Sequence, residues 1–178
     1  MIASKRLLPS TAITLAVLLA ALLSACGFQL RGSIALPPAL NVTLLEVKDP
    51  WQGIAAALRE ELESSGARVT ARASDATAVL TLTDERSKRR VLSVGSRGKA
   101  SEYELFEGVT FSLRDSEGQE LLKPQKLSLT RDLVFDQTRL LGKESEREEL
   151  QEQMHRSLAR QIITRIRTRL QAHEPATP

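Results

Sequence analysis

Basic side chains are concentrated in one stretch of the chain, between Arg86 and Lys99. Six cations lie there with no acidic residue among them: Arg86, Lys88, Arg89, Arg90, Arg97 and Lys99. Arg offers a planar fork that suits phosphate and Lys a compact charge, so a phosphorylated headgroup is the natural ligand. The same cations could instead protect an exposed strand edge from pairing. Nucleic acid is not expected, because the chain has only six aromatic residues on which bases could stack.

Groups suited to catalysis or metal binding are scarce. The two histidines, His155 and His173, are eighteen residues apart in or beyond one helix and cannot share a metal ion. The run from Gly95 to Gly98 does not match the Gly-x-Ser-x-Gly nucleophile elbow and is interpreted as a hairpin tip. No glycine-rich phosphate loop precedes a helix. The sequence therefore predicts a protein that is not an enzyme and that uses no metal or cofactor.

The N-terminus has the layout of a secretory signal. Lys5 and Arg6 form a basic region, residues 11–22 an apolar region, and small residues precede Cys26, the only cysteine. A membrane-spanning helix would need roughly 20 apolar residues, and this run is shorter. Without Lys5 and Arg6, the mature chain has 23 basic and 22 acidic residues, so its net charge says little about partners.

Cys26 is the one residue with an expected covalent modification. The segment Leu23-Ser24-Ala25-Cys26 resembles the lipobox of bacterial lipoproteins, which implies that Cys26 becomes a lipidated first residue. Several acyl chains on one cysteine anchor a protein permanently. The alternative is a buried free thiol. In lipoproteins an Asp after the cysteine favours the inner membrane; here Gly27 follows, so we expect the outer membrane.

The remaining chain divides into a tether and one domain. We expect a signal peptide over 1–25, a lipidated tether over 26–40 with the pair Pro37-Pro38, a domain over 41–174 and a disordered tail over 175–178. A strand over 41–48 leads into a helix. That helix is predicted to begin with Asp49 as its N-cap and Pro50 at its first position. Its apolar face is predicted from Trp51, Ile54, Leu58 and Leu62, and its end from Gly66.

Alternating patterns after Ala67 predict three antiparallel strands. Apolar residues that include Leu105, Val109 and Phe111 share one face of the middle strand, and a turn at residues 115–118 follows it. In the first strand Leu80 and Leu82 share a face with Leu92 and Val94, but charged residues interrupt that face between them. This interruption predicts a bend or bulge.

The last element is predicted to be the longest helix. It opens with a capping box at residues 145–148 and runs to about Ala172. An apolar ladder with a spacing of four residues covers the sheet: Leu150, Met154, Leu158, Ile162, Ile166 and Leu170. The order strand, helix, strands, helix predicts an α+β fold, a two-layer sandwich in which two helices pack on one face of a mixed four-stranded sheet. The other sheet face is either polar and hydrated or a docking surface.

Three segments resemble one known family. They are residues 26–32 directly after the lipobox, residues 101–105 after the glycine-bearing tip, and residues 141–144 before the last helix: Cys-Gly-Phe-Gln-Leu-Arg-Gly, Ser-Glu-Tyr-Glu-Leu and Leu-Gly-Lys-Glu. Their order and spacing over most of 26–172 make the chain similar to the LPS-assembly lipoproteins of the LptE family.

This resemblance implies a function. Members of the family are non-catalytic partners of the outer-membrane β-barrel LptD; they sit in it as a plug and bind lipopolysaccharide on its way to the outer leaflet. The matching ligand-binding positions here are Arg97 and Lys99 at the tip and Lys143 in a loop before the last helix. The expected place is the periplasmic side of the outer membrane. Two alternatives remain: a lipid-anchored periplasmic chaperone, and a structural envelope lipoprotein.

Overall fold

The computed structural model describes residues 36–95, 98, 100–134 and 140–172. Two helices and five strands follow one another in the order β1 (Val42–Glu46), α1 (Gly53–Ser64), β2 (Arg68–Thr70), β3 (Ala78–Val94), β4 (Ala100–Asp115), β5 (Glu120–Val134) and α2 (Leu140–Gln171). The fold is α+β, as predicted. Cys26, and with it the predicted signal and most of the tether, lies outside the described residues.

The strands form one mixed sheet in the order β2-β1-β3-β4-β5. β1 is parallel to β2 and β3, whereas β4 is antiparallel to both of its neighbours, β3 and β5. The prediction of four strands is therefore wrong, because β2 adds a fifth at the edge beside β1. β2 has only three residues, too few to show an alternating pattern in the sequence.

The first helix begins later than its sequence pattern predicts. α1 starts at Gly53, and the Asp49 carboxylate accepts a hydrogen bond from the Trp51 N–H at 2.9 Å, forming a local turn instead of a helix cap. The Trp51 side chain is 72% exposed, so its predicted place on the apolar face is wrong. Its ring lies against the Arg59 guanidinium, 4.3 Å from the ring centroid.

The rest of α1 follows the prediction. Ile54, Leu58 and Leu62 are buried, in line with their spacing of four residues. The helix ends at Ser64, and Gly66 takes a φ of +93°, a backbone conformation that glycine adopts without steric cost. This stop lets the chain turn back and add β2 beside β1.

The predicted irregularity in β3 is confirmed as a bulge. The pairing with β4 shifts between Thr83 and Arg86, and Asp84 takes a positive φ of 52°. β1 pairs with β3 only as far as Thr81. Beyond the bulge β3, β4 and β5 therefore continue as a three-stranded extension, residues 86–94, 100–108 and 128–134, which we call the blade.

The predicted turn between β4 and β5 is also confirmed. The Asp115 carboxylate accepts hydrogen bonds from the N–H groups of Glu117 and Gln119 at 2.9 and 2.8 Å, and Gly118 has a φ of +85°. An aspartate that holds the backbone two and four residues ahead closes a tight connection. The turn between β4 and β5 lies at the end of the sheet opposite to the connection between β3 and β4.

One apolar core joins the sheet to both helices. Its members include Leu80, Phe111 and Leu113 from the strands, and Leu58 and Ile162 from the helices. Along α2 the ladder is buried from Met154 to Ile166 as predicted: Met154, Leu158, Ala159, Ile162, Ile163 and Ile166. Side chains that alternate on strands and repeat every four residues on helices can meet in this way. The finer two-layer arrangement remains a prediction.

The start of α2 differs from the prediction. The helix begins at Leu140, ahead of the capping box at 145–148, so Lys143 belongs to the helix and not to a loop. Charged residues run along the exposed side of α2. In the part of the chain that the structure describes, we find no helix of the length and apolarity that a membrane span requires.

Candidate functional site

The predicted ligand-binding residues are described only in part. Arg97 and Lys99 lie outside the described residues, and Lys143 is placed by its backbone in the first turns of α2. What the structure does describe is their surroundings. The chain reverses between β3 and β4 through a turn in which the Gly95 carbonyl accepts a hydrogen bond from the Gly98 N–H at 2.9 Å. The prediction of a hairpin tip is confirmed.

Topology brings the start of α2 to the same end of the sheet as this hairpin tip. Val134, the last residue of β5, is in register with Glu102, two residues from the start of β4. Six residues further along, α2 begins, and six residues span at most ~20 Å. Near its start, Glu146 and Leu150 line a recess together with Leu133 and Val134. The first turns of α2 therefore lie at the same end of the blade as the hairpin tip, which we call the blade end.

The cations of β3 divide between the two faces of the blade. Ser87 is opposite Glu107, which faces α2, so Arg86, Lys88 and Arg90 lie on the face away from the helices. Arg90 forms an ion pair with Glu104, with 2.9 Å between nitrogen and oxygen. On the other face, the Arg89 guanidinium lies 5.0 Å from the centre of the Tyr103 ring.

Arg86 and Lys88 form no ion pair with any residue in the described ranges. Both side chains belong to exposed residues. They are the charges on this face that remain available to an anion, since a cation already paired to a carboxylate offers less of its charge to a further ligand.

Exposed aliphatic side chains lie further along the blade, towards the hairpin tip. Val94 and Val134 are 60% and 66% exposed, and Val91 and Leu92 are exposed as well. The sequence pattern placed Leu92 and Val94 on the same face as the buried Leu80, yet both are exposed. The register of β3 shifts between Thr83 and Arg86 and again on either side of Ser93, so simple alternation does not extend to them. Cations next to exposed aliphatic groups suit an anionic amphiphile.

A buried polar cluster lies where α2 crosses the blade. Its centre is Glu107, whose side chain is 5% exposed. The Ser87 hydroxyl donates to the Glu107 carboxylate at 2.7 Å, and the Gln151 side-chain N–H donates to the same oxygen at 2.8 Å. The second carboxylate oxygen lies 3.2 Å from Nε2 of His155. Sequence reasoning missed this cluster, although Glu107 interrupts an otherwise apolar row on β4.

The cluster forms one wall of an open cleft of about 860 Å³ between the start of α1, the bulge of β3 and α2. Acidic residues outnumber the lysine and arginine in its lining, and they include Asp49, Glu85 and Glu148. Burial raises the pKa of Glu85 above its ordinary value, and the neighbouring carboxylates of Glu107 and Asp49 add to the rise, while His155 opposes it. Within the described ranges no group of three potential ligands is arranged to hold a metal ion.

The match to a family model shows which protein family this chain belongs to. The model for the LptE family, described as lipopolysaccharide-assembly, matches residues 39–166, which is more than half of the chain. The chain belongs to the LptE family. A relative from Photorhabdus laumondii, the LPS-assembly lipoprotein LptE, is 30% identical over 157 residues, 85% of each chain. The LPS-assembly lipoprotein LptE of Pectobacterium atrosepticum is 28% identical over 92% of this chain and 94% of its own.

Solved structures agree with this assignment of the fold. An uncharacterized lipoprotein B from Nitrosomonas europaea has a TM-score of 0.65 at 26% identity, over 85% of this chain and 99% of its own. The rare lipoprotein B of Shewanella oneidensis has a TM-score of 0.64 at 27% identity, over 76% of this chain and 100% of its own. The β-sheet and helices described above are thus a fold that these two lipoproteins share.

Family membership supports three sequence predictions at a coarse level. The chain is a lipoprotein of the Gram-negative envelope, it acts in the assembly of lipopolysaccharide, and it is not an enzyme, since LptE proteins are non-enzymatic. Membership does not assign a role to single residues. The roles of Cys26, Arg97, Lys99 and Lys143 remain predictions.

Proposed function

We propose that this LptE protein is a lipid-anchored plug of the LptD β-barrel that binds lipopolysaccharide at the blade end on its way to the outer leaflet. The observation that carries the proposal is the combination found on the blade. Arg86 and Lys88, which have no ion-pair partner among the described residues, lie on its outer face, and exposed aliphatic residues such as Val94 and Val134 lie further along it, at the end with the hairpin tip. The phosphates of lipopolysaccharide can bind to the cations, and its acyl chains can pack against the aliphatic residues.

The face of the sheet away from the helices supports the plug role. Glu46 accepts a hydrogen bond from the Thr81 hydroxyl at 2.7 Å and forms an ion pair with Arg114 at 2.8 Å. This face is therefore polar where it is exposed. The interior of an outer-membrane barrel is polar as well, so such a surface can fit within it and keep its charged groups in polar surroundings.

Ligand binding is tested by reversing the charges of the assigned residues. The variant R97E/K99E/K143E should bind purified lipopolysaccharide at least tenfold more weakly than the wild type, because charge-assisted contacts to phosphate are lost and repulsion replaces them. The control variant R68E/K123E/K126E changes the net charge equally at exposed residues outside the blade. Equal weakening in both variants, or none in the first, contradicts the assigned site.

The plug role makes a separate prediction. The protein and LptD should copurify in equal amounts from outer membranes, and depletion of the protein should leave the barrel unassembled. A protein recovered without any barrel would refute this part of the proposal, whatever its affinity for lipopolysaccharide.

Lipid anchoring is tested at Cys26. Radiolabelled palmitate should enter the wild-type protein and not the C26S variant, since the thiol is the expected attachment atom. Equal labelling of the two proteins, or none in either, would contradict the anchor.

A further inference from the structure

Glu107 lies on the side of β4 where the neighbouring side chains are apolar. Leu105, Val109, Phe111 and Leu113 lie on the same side of the strand and are buried. Glu107 is 3% exposed, and it is the buried charged residue among those that the structure describes. A carboxylate in such surroundings costs free energy unless its lone pairs are satisfied.

The partners of Glu107 come from two different elements. Ser87 donates from β3, while Gln151 and His155 approach from α2, one helical turn apart. The Gln151 amide also donates to the Ser87 hydroxyl at 3.0 Å, so the contacts close into one network. Such a network has a single favourable geometry, because each group must meet the next at hydrogen-bond distance.

The network also divides the apolar packing of α2. On one side, Leu158, Ile162 and Ile166 belong to the main core. On the other side, Met154 is buried, as are Leu105 and Leu133 of the blade, but these three lie outside that core cluster. The first half of α2 thus rests on the blade through a few apolar residues and the network around Glu107.

We infer that Glu107 is a positioning residue, which fixes the first half of α2 on the blade and so sets the place of the helix start relative to the hairpin tip. Without the carboxylate, Ser87, Gln151 and His155 lose their common acceptor. Gln151 and His155 are half-buried against the blade, and donors there without an acceptor weaken the contact more than an apolar surface would. The main core still holds the second half of α2, so the helix opens locally at its start.

Hydrogen exchange measured on the full-length protein tests the inference directly. In the E107L variant, which removes both acceptor oxygens at a similar side-chain volume, the amides of residues 146–154 should exchange about tenfold faster than in the wild type, while those of residues 158–166 change little. The matched control is E104L, which removes a carboxylate from the other face of the same strand and breaks only the pair with Arg90. It should leave exchange in α2 unchanged.

A second variant separates positioning from general destabilisation. In E107L/Q151L/H155L the network is replaced by apolar groups, which often stabilise as well as the buried polar set they replace. Exchange in residues 146–154 should then return to the wild-type rate or fall below it. Unchanged exchange in E107L, or acceleration spread equally over the whole of α2, would overturn the inference.

The consequence for ligand binding rests on the proposed function. E107L should bind lipopolysaccharide several-fold more weakly, and E107L/Q151L/H155L should restore the affinity, because Lys143 lies at the start of the helix that the network holds. Faster exchange with unchanged affinity would overturn the link between Glu107 and the ligand site. Failure of the proposed function would appear elsewhere, as unchanged affinity in R97E/K99E/K143E.

Discussion

The packing of α2 on the sheet can be tested by truncating Ile162. Its side chain is fully buried in the main core, between the strands and α1. The substitution I162A removes three carbon groups, worth about 0.8 kcal/mol each in transfer free energy. The cavity left behind adds to this loss, so the free energy of unfolding should fall by about 2–5 kcal/mol.

The assay is urea unfolding followed by circular dichroism, with a thermal scan beside it. For a domain of this size a loss of 3 kcal/mol lowers Tm by about 6–12 °C. The control is T164A, an exposed position on the same helix, which should stay within about 0.5 kcal/mol of the wild type. If I162A loses less than about 1 kcal/mol, α2 does not close the core and the fold described above is wrong.

Three further perturbations test local features. G66A should lower the free energy of unfolding by about 1–2 kcal/mol, since φ is +93° there and an L side chain is strained in that conformation. G108V should destabilise by about 1–3 kcal/mol in the same assay, because a Cβ at this position would come within 3.0 Å of the Phe106 ring. E85Q should raise stability at pH 7 and make little difference below pH 4.5. The pKa of Glu85 is raised from 4.5, so its carboxyl group costs nothing below that pH and destabilises the fold as the pH rises through its folded pKa. Equal effects of E85Q at both pH values would contradict this cause.

Sequence patterns predicted the elements that are long and regular. The ladder from Met154 to Ile166 and the alternation of β4 extend over enough residues for their period to be evident. The bulge in β3 was predictable because charged residues interrupt its apolar face. β2 was not, because three residues carry no period and their pairing depends on where α1 ends.

The errors at element boundaries have a common physical origin. Asp49 and the capping box at 145–148 are both strong local signals for a helix start, yet α1 begins after the first and α2 before the second. Local hydrogen bonds of this kind compete with tertiary packing, and the packing decides. Trp51 shows the same effect, since its spacing fits the apolar face but it precedes the helix.

The positive charge of the candidate site was predictable from the sequence, but the spatial arrangement of its residues was not. The cluster from Arg86 to Lys99 is evident in the sequence, but which face of the blade Arg86 and Arg89 each occupy depends on the bulge register. The Glu107 network joins residues that are 20 to 64 positions apart. A glutamate in the apolar row of β4 was the signal that could have revealed it.

Photo-crosslinking in living cells tests the central claim most directly. A photoreactive amino acid placed at Lys99 or at Lys143 should yield adducts that contain lipopolysaccharide or LptD, and the same group at Lys123, near the opposite end of the sheet, should yield no lipopolysaccharide adduct. If the blade end gives no such adducts, or if Lys123 gives them equally, the assignment of this end as the ligand site is contradicted.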